Sequence, residues 1–144
     1  MAVAQILKQK GRSVITVEPT QSLKDVTATL AKNRIGAVVV VDKAGAIGGI
    51  VSERDVVRAL AAEGAAALSR TVQDIMTQKV FTCTPRDSEA YLMGLMTDNR
   101  IRHLPVIEDG KLAGMISIGD VVKFRIESIE QEAEQMKSYI ASAG

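Results

Sequence analysis

The sequence predicts an α+β fold: two copies of a β-α-β-β-α unit, with an amphipathic helix at each end of the chain. Three observations lead there. Residues 14 to 42 match 80 to 108 at an offset of 66, and 45 to 58 match 110 to 123 at an offset of 65. Fourteen identities hold this phase, from Val14/Val80 and Thr16/Thr82 through Asn33/Asn99, Arg34/Arg100 and Ile35/Ile101 to Ser52/Ser117 and Asp55/Asp120. Each copy contains two runs rich in β-branched residues that end in turn residues, and each begins a helical apolar period just after a serine.

Taken in order, the first element is an amphipathic lead-in helix carrying Val3, Ile6 and Leu7; Val72, Ile75 and Met76 form its counterpart before the second copy. Short extended pieces follow, Val14 to Val17 and Val80 to Cys83. Pro19 or Pro85 stops each, and Ser22 or Ser88 caps the next helix. Leu23, Val26 and Leu30 fall on one face of that helix in the first copy, as do Leu92, Leu95 and Met96 in the second. The runs 35 to 41 (IGAVVVV) and 103 to 107 (HLPVI) read as strands, closed by turns at Asp42 to Gly45 and Glu108 to Gly110. Third strands, Ala46 to Ser52 and Leu112 to Ser117, lead into helices starting at Glu53 and Ile118. The alanine-rich stretch Ala59 to Ser69, broken by Gly64, joins the copies. This divides the chain into 1–64 (first repeat with the N-terminal helix), 65–125 (second repeat) and 126–144 (C-terminal amphipathic helix). A unit of about 60 residues buries little surface alone, so the copies are expected to pack face to face and leave two equivalent grooves.

Composition excludes several functions. Eighteen Lys+Arg against 17 Asp+Glu leave +1, too little for a global field toward nucleic acid or an anionic membrane. With no Trp and four other aromatics there is no platform for stacking bases. The longest uncharged stretch, Ala44 to Ser52, is nine residues, against roughly 20 for a spanning helix. One cysteine and one histidine cannot form a Cys/His metal cluster, and Cys83 reads as a small buried thiol in a strand. The N-terminal segment lacks the pattern of a secretory signal, so a cytoplasmic protein is expected. No nucleophile stands beside His103 and no glycine-rich phosphate loop occurs, so the expectation is no enzyme, no catalytic residue and no metal.

The sharpest signal is Gly-x-x-Ser-x-x-Asp, present as Gly49, Ser52, Asp55 and again as Gly114, Ser117, Asp120, where a strand turns into a helix. A hydroxyl and a carboxylate three residues apart share one side of the first turn. A carboxylate can accept from two vicinal hydroxyls, which suits a ribose, and the helix amides favour an anion. Two readings stay open: a ligand site, or a pair of capping boxes that serve only their helices. A second run, Asn99-Arg100-Ile101-Arg102-His103-Leu104-Pro105, brings three basic-capable groups together and suits a phosphate, or else complements the end of a helix. The first copy has Gly36-Ala37 where the second has Arg102-His103, so two grooves would not bind alike. In the tail, Val122, Ile126, Ile129, Ala133, Met136 and Ile140 are spaced as an a/d seam, for packing on the body or on a second copy in a homodimer.

The repeated hydrophobic-x-Thr-x-x-Pro, Asn-Arg-Ile and Ser-x-x-Asp-Val-Val motifs, with SERD in the first copy and NRIRHLPV and SIGDVV in the second, resemble tandem CBS domains. Stand-alone bacterial CBS-pair proteins and plant organellar ones are the nearest in pattern. The resemblance implies a pair with pseudo-twofold symmetry that binds adenine nucleotides (AMP, ATP, NAD or a relative) in clefts between the copies, often as a dimer. It places the ribose on Ser52 and Asp55 and on Ser117 and Asp120, and phosphates on Arg54, Arg100, Arg102 and His103. The adenine would be flanked by Thr16, Val17 and Ala37 in one copy and by Val80, Phe81, Thr82 and Pro105 in the other. It further implies a regulatory module that signals to an effector protein in trans. The rival reading is a structural or interaction module without nucleotide affinity.

Overall fold

The computed structural model describes residues 2–143. The elements run α1 (Ala2–Lys10), β1 (Thr16–Val17), α2 (Leu23–Asn33), β2 (Ala37–Val41), β3 (Ile47–Ser52), α3 (Glu53–Glu63), a 3-10 turn (Gly64–Ser69), α4 (Val72–Ile75), α5 (Glu89–Asn99), β4 (His103–Glu108), β5 (Lys111–Ser117) and α6 (Ile118–Ala143).

The repeated residues act where the backbone needs them. Ser22 Oγ accepts from the Asp25 N–H at 3.1 Å and Ser88 Oγ from the Tyr91 N–H at 3.2 Å, so both serines cap as predicted. Both helices end on the arginine of Asn-Arg-Ile, with Arg34 at φ 54° and Arg100 at φ 53°. The next N–H groups return to the helix, Ile35 to Leu30 O at 3.1 Å and Ile101 to Met96 O at 3.0 Å. A left-handed residue followed by an apolar one is the usual helix stop, here built without glycine.

The one-residue slip between the copies is a difference in hairpin type. In the first, Asp42 and Ala46 enclose a three-residue loop whose last residue, Gly45, has φ 86°. In the second, Glu108 pairs with Lys111 across Asp109 and Gly110, whose φ values are 52° and 74°. These are the two shortest standard hairpin loops. Both hairpins then carry a bulge at equivalent places, Val40/Val41 and Val106/Ile107.

The first extended piece differs between copies. Thr16 and Val17 pair in parallel with Val39 and Val40. The expected strand Val80 to Cys83 is reduced to one bridge, Cys83 with Val106, bonded by Cys83 N–H to Pro105 O (3.0 Å) and Ile107 N–H to Cys83 O (2.8 Å). The counterpart of Val39 is Pro105, which has no N–H to carry the ladder further.

Contacts divide the chain into two units, one joining residues 2–12 to 83–143 and one spanning Ser13–Thr82. Each lead-in helix therefore belongs with the other copy. The Val72 N–H bonds Gln21 O at 2.8 Å, and the Val3 N–H bonds the equivalent Asp87 O at 3.4 Å. Val17, Leu23, Val26, Val38, Val40, Val51 and Val72 fill the core of the unit Ser13–Thr82. Val3, Leu7, Leu92, Leu104, Val106 and Ile116 are buried in the unit that joins 2–12 to 83–143. The segment after Thr71 is helical for only four residues; Met76 has left the helix, and Thr77 runs beside β3, bonded both ways to Ile50 at 2.9 and 3.0 Å.

The tail is not separated at residue 126. It continues the helix that starts at Ile118, and the seam residues Val122, Ile126, Ile129, Met136 and Ile140 are exposed along it.

Candidate functional site

Each Ser-x-x-Asp turn sits at the junction of the second hairpin strand with a helix, β3 with α3 and β5 with α6. In the first copy, Asp55 Oδ2 accepts from the Ser52 N–H (2.9 Å) and Oγ (3.2 Å), and the Asp55 N–H donates to Ser52 Oγ (3.4 Å). In the second, Asp120 Oδ2 accepts from the Ser117 N–H (2.8 Å), and the Asp120 N–H donates to Ser117 Oγ (3.1 Å). Both turns are thus reciprocal capping boxes. The Glu53 and Ile118 N–H groups reach Gly36 O and Arg102 O, at 2.9 and 2.8 Å.

Each carboxylate has one further partner from the lead-in segment of its unit. Thr77 Oγ1 donates to Asp55 Oδ1 at 3.1 Å, with the Arg58 guanidinium 4.0 Å from the same oxygen. Lys10 Nζ donates to Asp120 Oδ2 at 2.6 Å and to Met115 O at 2.7 Å. Asp55 is 8% exposed, and its charge is tolerated there because its oxygens are hydrogen-bonded. Burial pushes the Asp120 carboxyl up, but the Lys10 and Ser117 hydrogen bonds and the Lys10 charge outweigh it, holding the group below its ordinary value. Nothing in the local motif discloses these partners: Thr77 is 22 positions from Asp55, and Lys10 is 110 from Asp120.

The glycines of the motif clear space for protein. A Cβ on Gly49 would lie 2.7 Å from Met76 Sδ and 2.8 Å from Thr77 O; one on Gly114 would lie 2.5 Å from Leu7 Cδ2. The space beside the backbone at these glycines is occupied in both copies by the lead-in segment, which packs there because no side chain stands in its way.

The strand register places the remaining candidates. His103 lies across the ladder from Ser117, and Ala37 occupies the same place opposite Ser52. The charge divergence between the copies therefore falls directly beside the Ser-x-x-Asp turn. Arg102 and Arg54 are exposed, while Arg100 serves the backbone as the left-handed helix stop. Of the adenine-flanking candidates, Thr16 and Thr82 are exposed and Val80 and Phe81 half-buried, with Lys79 Nζ 5.2 Å from the Phe81 ring. Val17, Ala37 and Pro105 are buried. Val80 to Thr82 belong to the unit of Ser52 and Asp55, whereas Pro105 belongs to that of Ser117 and Asp120. Cys83 is 2% exposed, and burial, then the Asp87 charge, pushes its thiol up to about 12. Among the described residues, no group of three or more His, Cys, Asp or Glu could hold a metal, and no helix is long and apolar enough to cross a membrane.

Two copies of this strand-turn-helix site on one repeated scaffold define a CBS pair, and the comparisons agree. The CBS domain profile matches residues 3–62 and 72–127, so the chain belongs to the CBS domain family. A CBS-domain containing protein from Agrobacterium tumefaciens is 49% identical, with a TM-score of 0.85 over 87% of this chain and 95% of that one. The CBS domain-containing protein CBSX3, mitochondrial, of Arabidopsis thaliana is 37% identical over 96% of this chain and 71% of its own length. The CBS domain pair of protein MJ0100, solved with 5-methylthioadenosine and S-adenosyl-L-methionine, is 25% identical, with a TM-score of 0.76 over 85% of this chain and 98% of that one.

Proposed function

We propose that this protein is a non-enzymatic regulatory module of the cytoplasm that binds an adenine nucleotide of the AMP, ATP or NAD class and signals to a partner protein in trans. The observation that carries the reading is the doubled turn: a serine hydroxyl and a partly covered carboxylate at a helix start, repeated in phase. The adenosine portion shared by the two ligands of the MJ0100 pair supplies the chemistry such a turn would meet, two vicinal ribose hydroxyls. Ser52 with Asp55 and Ser117 with Asp120 are assigned to the ribose. Arg54, Arg100, Arg102 and His103 are assigned to phosphates, and Thr16, Val17, Ala37, Val80, Phe81, Thr82 and Pro105 to the adenine. Buried Val17, Ala37 and Pro105 would contribute through backbone groups or a small wall of apolar surface. The exposed seam of α6 supports a homodimer.

Thermal unfolding against AMP, ADP, ATP, NAD, NADH and S-adenosylmethionine tests the reading, because a ligand at 100 times its dissociation constant adds about 2.7 kcal/mol to the folded state. A shift of several degrees with one of them is expected. Asp120→Ala should weaken that ligand by about 1.5 to 3 kcal/mol, the range for hydrogen bonds to a charged group. The closed capping boxes favour a second reading, an interaction module with no nucleotide affinity, which predicts no shift with any of the six.

A further inference from the structure

We propose that Lys10 is a specificity-determining residue of the second copy, biasing the site at Asp120 toward adenosine ligands that carry a phosphate; this rests on the ribose assignment above. The ammonium lies 2.6 Å from Asp120 Oδ2 and is held in place by its second bond to Met115 O at 2.7 Å. Asp120 is therefore a neutralised carboxylate. A nucleotide whose ribose hydroxyls meet it carries its 5′ phosphate on the same sugar, at a distance comparable to the Debye length of about 8 Å at physiological salt. With Lys10 present the phosphate meets no net repulsion from the group that holds its sugar; without Lys10 it faces a bare negative charge. Arg102, next to the residue that lies across the ladder from Ser117, adds positive charge to the same copy.

The first copy lacks this device. The partner of Asp55 from the lead-in segment is the neutral Thr77 hydroxyl. Arg58 stands 4.0 Å from Asp55 on a side chain 70% exposed, where solvent screens it. Ala37 replaces the histidine opposite the serine. The two carboxylates thus share a backbone setting but differ in the lead-in side chain that reaches them, an ammonium at Asp120 and a hydroxyl at Asp55.

Calorimetric titration of AMP and of adenosine separates charge from sugar recognition. It is made on the full chain carrying Asp55→Asn, so that the second copy is the one that retains its carboxylate. Lys10→Met is expected to weaken AMP about tenfold and to change adenosine less than about twofold, and Lys10→Arg is expected to restore AMP. Lys10→Gln carries the same test should Lys10→Met melt below the assay temperature. Equal loss of both ligands, or an unmoved ratio of their affinities, overturns the role of Lys10 while leaving the ribose assignment standing. Absence of binding of both ligands to the wild-type chain overturns the ribose assignment and this inference with it.

Discussion

The two copies are built on the same backbone positions and differ at the side chains set upon them. Both place a serine cap, a left-handed arginine stop, a bulged hairpin and a capping-box turn at matching points. They diverge in the residue opposite the capping serine, Ala37 or His103, and in the lead-in partner of the aspartate, Thr77 or Lys10. They diverge again on α2 and α5, where Asp25 and Thr27 are replaced by the exposed Tyr91 and Met93. A duplicated scaffold keeps the residues that satisfy its backbone, because each costs about 1 kcal/mol or more to lose. Side chains that serve no backbone group are free to change.

The largest expected contrast involves the buried position shared by Val17 and Cys83, which stand 66 residues apart. With its thiol pushed up to about 12, Cys83 at pH 8 holds about a thousandfold less thiolate than at its ordinary value of 9.0. A colorimetric thiol reagent should therefore react at the rate of unfolding; fast reaction in the native protein would break the equivalence with Val17. Cys83→Val should cost less than about 1.5 kcal/mol, as a swap between small apolar groups does.

Next come the swapped lead-in segments. Leu7→Ala removes a side chain buried against Gly114 and should cost about 2 to 5 kcal/mol in denaturant titration, whereas Met76→Ala, at a half-buried site, should cost less. The glycines should separate the copies in the opposite sense. At Gly49 a methyl meets a backbone carbonyl that cannot move aside, so Gly49→Ala should cost about 2 to 3 kcal/mol. At Gly114 it meets the end of the Leu7 side chain, which can rotate, and about 1 kcal/mol is expected. Equal losses would show that both lead-in segments yield alike.

The smallest effect is electrostatic. The Asp120 carboxyl is held below its ordinary value in the folded chain, so its contribution is present above the unfolded value of about 3.9 and is lost as pH falls through the lower folded value. The pair with Lys10 is partly exposed, which limits this to about 0.5 to 1 kcal/mol. The stability difference between wild type and Lys10→Met, measured by chemical denaturation, should shrink from pH 7 to pH 3. A difference constant across that range would show that Lys10 stabilises through packing and not through Asp120.

Local chemistry made much of this legible in the residues. The repeat offset, the serine caps and the turn residues dictate elements through interactions spanning a few positions, which is why the order β-α-β-β-α and the capping boxes at Ser52 and Ser117 could be read directly. The slip from 66 to 65 was also visible, although its origin in two hairpin loops was not. The short extended piece Val80 to Cys83 has β-rich residues that suit a strand locally, but it keeps a single bridge because Pro105, more than twenty positions away, withholds the N–H that would complete the ladder. The lead-in helices were legible as helices but not in their placement, since each packs with the other copy. Lys10 at Asp120 and Thr77 at Asp55 are consequences of that exchange. Sequence by itself determined the elements and the two turns, because caps, periodicity and turn preferences act within a few residues. Only the tertiary structure decided which side chain completes each carboxylate, because a hydrogen bond across 110 positions depends on where the whole chain has folded.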